Sequence, residues 1–273
     1  MPSLPTTNTL DTEFDSGWLT IWFDQVDKRN ALTDELRADL HAVLAAVGPD
    51  QDVRGITLRG RGGIFCAGGD LKHFKSDFQA TATVEDIKAM SRDAAAIFDR
   101  VDKAPQVVVA LIEGAALAGG FGLACCADVV ICADDARFAM TEAMIGLSPA
   151  QIAPFVIRKV GPATGRRLML TAARFDGREA AALGVADYSG ATVRELENIE
   201  ATIRRQVLRC APGAVAETKN LLREMQGASR DDVIELAAEN FAARMKSDEA
   251  VEGIAAFFAK ETPSWTIELG ETT

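Results

Sequence analysis

Glu113-Gly114-Ala115-Ala116-Leu117-Ala118-Gly119-Gly120-Phe121-Gly122-Leu123-Ala124 follows a run of strand-forming residues, Gln106-Val107-Val108-Val109-Ala110-Leu111-Ile112. It leads into an apolar segment, Phe121 to Cys126, that can begin a helix. A strand that turns through small residues into a helix leaves backbone N–H groups unpaired at the positive end of the helix dipole. Such a turn can hold an anion, and glycine lets a ligand oxygen approach because no Cβ stands in the way. The same glycines also permit tight helix–strand packing, and this stretch alone does not separate the two readings.

A second stretch does. Arg61-Gly62-Gly63-Ile64-Phe65-Cys66-Ala67-Gly68-Gly69-Asp70-Leu71-Lys72 follows another strand-like run, Val53-Arg54-Gly55-Ile56-Thr57-Leu58-Arg59. Two parallel strands that each end in a Gly-rich turn can each offer one N–H to a single oxygen. That is the geometry of an oxyanion hole.

With these stretches the chain resembles the crotonase superfamily, the enoyl-CoA hydratase/isomerase proteins. The resemblance also rests on Lys28-Arg29-Asn30-Ala31-Leu32, Phe138 to Pro149, Phe175-Asp176-Gly177-Arg178-Glu179-Ala180, Leu183-Gly184-Val185-Ala186-Asp187 and Glu252-Gly253-Ile254-Ala255-Ala256-Phe257-Phe258. It runs from about Phe14 to about Trp265, and the order and spacing of the motifs carry it. It implies an α/β fold, a crotonase (ClpP-like) spiral of ββα units over residues 1–190, with a C-terminal helical trimerisation region over 191–273. A homotrimer or a dimer of trimers is expected. Periodicity by itself gives only α/β.

At 273 residues with 48% hydrophobic content, the chain has ample material for a core. Residues Met1 to Asn8 show no basic patch followed by an apolar run, so no signal peptide is expected. No apolar run is long enough for a membrane span, and a cytoplasmic enzyme is expected. Cys66, Cys125, Cys126, Cys132 and Cys210 read as buried thiols, without the spacing or companion histidines of a metal site. A formal charge of −11 argues against nucleic acid and anionic membrane as partners. Coenzyme A is a polyanion, and Lys28, Arg29, Arg59, Arg61, Lys72, Lys75 and Lys260 supply basic groups beside the motifs; each is equally readable as a solvated charge. No separate cofactor and no metal are expected, since coenzyme A enters as part of the thioester substrate.

In chain order, the first fourteen residues read as loose, and Trp18 to Phe23 reads as a strand. Leu32, Leu36, Leu40, Val43 and Val47 recur at helical spacing up to Gly48-Pro49. His41 falls in that helix and reads as structural or surface-lying rather than catalytic. Thr83 to Asp86 and Ser229 to Asp232 have the form of capping boxes. A strand is expected at Asp128 to Ala133, and helices dominate from Gly161 onward.

By resemblance, the oxyanion donors are the N–H groups of Gly69 and Gly119. Hydratases of this family carry two glutamates around the reacting carbons. The first would stand at Gly122 and is absent; the second matches Glu142. A carboxylate packed among Met140, Met144 and Ile145 has its pKa raised by desolvation, which suits a group that both takes and gives a proton. Gly122 in place of a side chain is expected to open room for a branched acyl group. The Ala67-Gly68-Gly69-Asp70-Leu71 turn is expected to contact the adenine and pantetheine, Lys28 or Arg29 the phosphates, His73 the acyl pocket, and Phe257 and Lys260 a neighbouring subunit's coenzyme A. The expected activity is hydration or double-bond shift of an enoyl-CoA with one glutamate as acid/base. Thioester hydrolysis, decarboxylation and a silent acyl-CoA-binding subunit remain open as alternatives.

Overall fold

The computed structural model describes residues 2–70 and 82–269. The main sheet contains β1 (Leu10–Asp15), β2 (Trp18–Phe23), β3 (Gly55–Gly60), β4 (Val107–Ile112), β6 (Val129–Ala133) and β9 (Tyr188–Gly190), side by side in that order. A smaller sheet holds β5 (Ala115–Leu117), β7 (Arg137–Ala139) and β8 (Arg174–Phe175). The helices are α1 (Asp34–Val47), α2 (Val84–Asp102), α3 (Gly119–Cys126), α4 (Ala153–Thr171), α5 (Gly177–Ala182), α6 (Val193–Val207), α7 (Pro212–Glu224), α8 (Arg230–Met245) and α9 (Asp248–Ala259).

From β2 to β9 the main sheet is parallel. A parallel sheet is buried on both faces, and β3 and most of β4 are buried accordingly. The chain repeats one unit: a main-sheet strand, a short strand in the second sheet, then a helix. β4, β5 and α3 make one such turn; β6, β7 and α4 make the next. This is the expected ββα order. Phe121 of α3 packs edge-on against Phe138 of β7 and Phe175 of β8, whose rings stack at 5.6 Å. That aromatic trio fixes α3 to the second sheet.

Three readings of the sequence are corrected here. Residues 10–15 are not loose but form β1, antiparallel to β2 through a two-residue turn whose members, Ser16 and Gly17, both have positive φ. The cause is partly distant: the Asp39 carboxylate on α1 accepts hydrogen bonds from the Asn8 and Thr9 N–H groups and from the Thr9 hydroxyl. Helix α4 begins at Ala153 rather than near Pro162. Gly161, at φ 77 and ψ 163, breaks its line, and Pro162 then opens the second half as a proline at a first helical position does. The capping boxes of Thr83 with Asp86 and Ser229 with Asp232 are present as expected. His41 is exposed, its Nε2 3.1 Å from the Arg100 guanidinium. Cys66, Cys125, Cys126 and Cys132 are buried, but Cys210 is exposed.

Asn30 ties the Lys28–Leu32 loop to the turn after β3. It is fully buried at φ 53, a conformation Asn tolerates better than most residues. Its Oδ1 accepts from Gln25 N–H, and its Nδ2 donates to the Arg61 and Ile64 carbonyls at 3.0 and 2.7 Å. Asn30→Ala removes three part-buried hydrogen bonds of a buried side chain, at about 1 kcal/mol each. Urea unfolding of that variant is expected to show a loss of roughly 3 kcal/mol; a loss within error of zero would show that the loop is held by other contacts.

Candidate active site

The two Gly-rich turns lie against each other. Cys66 N–H donates to the Ala115 carbonyl and the Cys66 carbonyl accepts from Leu117 N–H, so the first turn pairs with β5. On its other side Leu32 N–H donates to the Gly68 carbonyl at 2.8 Å, and Ala67 N–H donates to the Arg29 carbonyl. The motif residues 28–32 are thereby brought to the first turn. Gly68 has φ 94, and a Cβ there would fall 2.8 Å from Ala118 Cβ and 3.2 Å from Gly119 N. Only glycine fits both the backbone conformation and the contact.

Within this joint the N–H groups are apportioned. Gly68 N–H donates to the thiol sulfur of Cys66, 3.4 Å away, which leaves the next N–H, that of Gly69, as the one the turn presents. Burial pushes the Cys66 thiol up to about 12, so it serves as a neutral acceptor rather than as a nucleophile. Gly119 is the first residue of α3, where the helix itself supplies no acceptor for an N–H. Among the described residues neither the Gly69 nor the Gly119 N–H has a protein acceptor. A Cβ on Gly119 would stand 3.7 Å from Gly69 N, so the two donors border one small space.

Ala118 determines how the second donor points. Its φ of 48 and ψ of −119 belong to a region that glycine favours, and holding alanine there costs about 1–3 kcal/mol. The ψ angle at 118 sets the plane of the 118–119 peptide and hence the direction of the Gly119 N–H. The residue is pinned by donation of its own N–H to the Ala139 carbonyl at 2.8 Å.

That bond also brings in Glu142. β5 pairs in parallel with β7, matching Leu117 with Ala139, and the chain then runs through Met140 and Thr141 into a 3-10 turn, Glu142–Ile145. Glu142 is partly buried, and its Oε2 is enclosed without a hydrogen-bond partner among the described residues. Desolvation raises its pKa above the ordinary glutamate value, opposed by a hydrogen bond from its own backbone N–H. The direction agrees with expectation, but the surroundings differ. Met140 is buried, whereas Met144 and Ile145 are exposed.

The expected room at Gly122 is not there. A Cβ on Gly122 would come within 2.5 Å of Ile152 Cβ and closer still to its Cγ2. Ile152, at the start of α4, is 3% exposed and occupies the space. Gly122 itself is buried in α3. Its absent side chain therefore serves packing of α3 on α4 and opens no acyl pocket.

The basic residues divide into two sets. Arg59 is paired with Glu113 and Glu197, Arg61 with Asp11 and Glu13, and both guanidinium groups lie over the Trp22 ring. With their charges matched within the fold, these two arginines are poor candidates for phosphate binding. Lys28 and Arg29 are exposed beside the first turn, and Lys260 is exposed at the end of α9 next to the exposed Phe257. Asp70 is partly buried at the turn's far end. Leu71, Lys72, His73 and Lys75 lie outside the described residues. Two surface clefts, of about 200 and 160 Å³, lie elsewhere, one beside Arg54 and Gln106 and one beside Phe175 and Leu183. The site described here is the seam between two turns rather than either of these hollows.

Comparison with known proteins identifies the family and the fold. Residues 13–268 match the family described as Enoyl-CoA hydratase/isomerase. The chain belongs to the enoyl-CoA hydratase/isomerase family. It is 28% identical over 243 residues to the enoyl-CoA hydratase ACTT6 of Alternaria alternata, covering 89% of this chain and 78% of that one. It is 29% identical to carnitinyl-CoA dehydratase of Proteus mirabilis, covering 87% and 91%. Among solved structures, Pseudomonas aeruginosa AtuE superposes with a TM-score of 0.90 at 43% identity, covering 94% of this chain and 99% of that one. An enoyl-CoA hydratase/isomerase from Marinobacter aquaeolei gives 0.88 at 36% identity, covering 94% and 98%. The family and its crotonase fold are thus as the motifs implied, and no described helix is long and apolar enough to cross a membrane.

Sequence reasoning named Gly69, Gly119 and Glu142 but missed the residues that arrange them. Leu32, Cys66, Ala118, Ala139 and Ile152 act through backbone bonds or shape, which leave no mark in residue type. Glu142 provides a test that needs no substrate. A carboxyl whose pKa is raised on folding binds more protons folded than unfolded, so it costs stability as pH rises from the ordinary glutamate value through the raised one. Glu142→Gln is expected to melt higher than wild type at pH 7, with the difference vanishing near pH 4. A lower melting temperature at pH 7 would contradict the desolvated carboxylate.

Proposed function

We propose that the protein is an enoyl-CoA hydratase or isomerase that works through a thioester enolate, with Glu142 as its single acid/base. The observation that supports this most directly is the seam itself: two N–H groups on interlocked turns that have no acceptor among the described residues, with the second turn bonded to β7, three residues before a desolvated carboxylate. In this reading the thioester oxygen accepts hydrogen bonds from Gly69 and Gly119. Negative charge gathers on that oxygen when the carbon next to the thioester carries an electron pair, so donors aimed there stabilise the enolate.

For a double-bond shift, Glu142 takes a proton from one carbon of the allylic system and returns it to another. For hydration, Glu142 takes a proton from water as the oxygen bonds to C3, and the glutamic acid so formed then gives that proton to the enolate carbon C2, which restores the carboxylate. A second carboxylate at 122 has no part in either route, because Ile152 fills its place. The carboxylate form is the base, so turnover is expected to rise with pH through the raised Glu142 pKa. In this reading Lys28 or Arg29, both exposed beside the first turn, meets the coenzyme A phosphates, and the backbone from Ala67 to Asp70 follows the adenine and pantetheine. The exposed Phe241, Val251, Ile254, Phe257 and Phe258 on α8 and α9 suit a homotrimer or a dimer of trimers, in which Phe257 and Lys260 reach a neighbour's coenzyme A.

Single-turnover mass spectrometry in D₂O, with straight and branched 2-enoyl- and 3-enoyl-CoA thioesters, tests the reading. Wild type is expected to add water or to shift the bond with deuterium uptake. Glu142→Gln is expected to lose about 10²–10⁴ in rate. Gly119→Pro, which deletes one donor, is expected to lose about 10²–10³ while still melting cooperatively. Full turnover in Glu142→Gln would overturn the single-glutamate assignment.

A further inference from the structure

With its oxygen held between Gly69 and Gly119 and its reacting carbons at Glu142, a thioester still needs a course for the rest of its acyl group. The inward course is closed, since Ile152 fills the space over Gly122 and both are buried. The outward course begins at Glu142 itself. In a 3-10 turn, side chains three residues apart eclipse one another, which sets Ile145 beside Glu142 on one face. Met144, Ile145 and Leu147 are 63%, 55% and 49% exposed. Between them Gly146, at φ 80, has no other described residue within 4 Å of the place its Cβ would take, so the described residues leave the strip open. Scattered exposed apolar side chains are ordinary, but three within four residues of sequence, directly after a partly buried carboxylate, point to a binding surface. From Ala143 to Ile157 the sequence contains no charged residue, so an ionised tail would find no counter-charge on this segment.

We propose that the strip formed by Met144, Ile145 and Leu147 seats the tail of an extended, uncharged aliphatic acyl group, and that these residues set the chain-length preference. The proposal rests on the oxyanion seam and Glu142 serving as the reaction centre. Its test uses binding rather than turnover, so that the two readings can fail separately. Isothermal titration of saturated acyl-CoA thioesters from butanoyl to decanoyl would be made on wild type and on the double variant Met144→Ser/Ile145→Ser, with sedimentation velocity on both.

Each methylene moved from water onto an apolar surface is expected to tighten wild-type binding about two- to fourfold, giving at least about 50-fold from butanoyl to decanoyl. The double variant is expected to compress that ratio below about 10-fold while sedimenting like wild type. Length-independent binding by wild type would overturn the strip alone. So would a variant that keeps the full ratio, or one that changes association state instead, which would make the strip a subunit contact. Failure of wild type to bind any of the thioesters would overturn both the strip and the acyl-CoA reading.

Discussion

A backbone N–H at the end of a strand or the start of a helix must find an acceptor or be left facing one from outside, because burying it unpaired costs about as much as a lost hydrogen bond. Among the described residues Gly69 and Gly119 are two such groups, and the fold assigns several neighbouring donors elsewhere. Cys66 N–H goes to Ala115, Leu117 N–H to Cys66, Ala118 N–H to Ala139, Leu32 N–H to Gly68 and Gly68 N–H to the Cys66 thiol. The parallel pairing of the main sheet puts the ends of β3 and β4 on one side, and the glycines let the turns that follow come into contact. The site is therefore what remains when the backbone hydrogen bonds of this seam have been assigned.

The rest of the molecule holds that seam rigid. Asn30 locks the loop that flanks the first turn, and the rings of Phe121, Phe138 and Phe175 hold α3 against β7 and β8. Ala118 stores strain at the one torsion that aims a donor, as functional sites with over-determined surroundings can. The Trp22 ring, covered by Arg59 and Arg61 with their acidic partners, seals the same end of β2 and β3. Glu142 bears the opposite kind of cost, a desolvated charge kept where a proton has to move.

Much of this was legible in the sequence wherever the signal was local. Thr83 and Ser229 announced their helices by capping chemistry, and the runs at Val53–Arg59 and Gln106–Ile112 announced strands followed by glycine turns. The family motifs supplied Gly69, Gly119 and Glu142 as candidates, and the fold sets the two turns together and leads β7 into Glu142. Contacts distant in sequence were not legible. The alternation of Leu10, Thr12 and Phe14 with acidic residues is a period-two pattern, yet it becomes a strand beside a helix whose Asp39 captures Thr9. Gly122 looked like an opening because its partner, Ile152, lies thirty residues on and arrives only through the packing of α4 on α3. The pairing of Arg59 and Arg61 with carboxylates brought together by the sheet was hidden for the same reason.

The central claim is that two backbone donors on different turns converge on one thioester oxygen. Isotope-edited infrared spectroscopy of an acyl-CoA carrying ¹³C at its carbonyl measures this directly, because hydrogen bonds to that oxygen weaken the C=O stretch. The account predicts a lower stretching frequency for the bound thioester than for the free one in water, and partial reversal when Gly119→Pro removes one donor. A bound thioester with the same frequency as in water, or a shift that Gly119→Pro leaves intact, would contradict it.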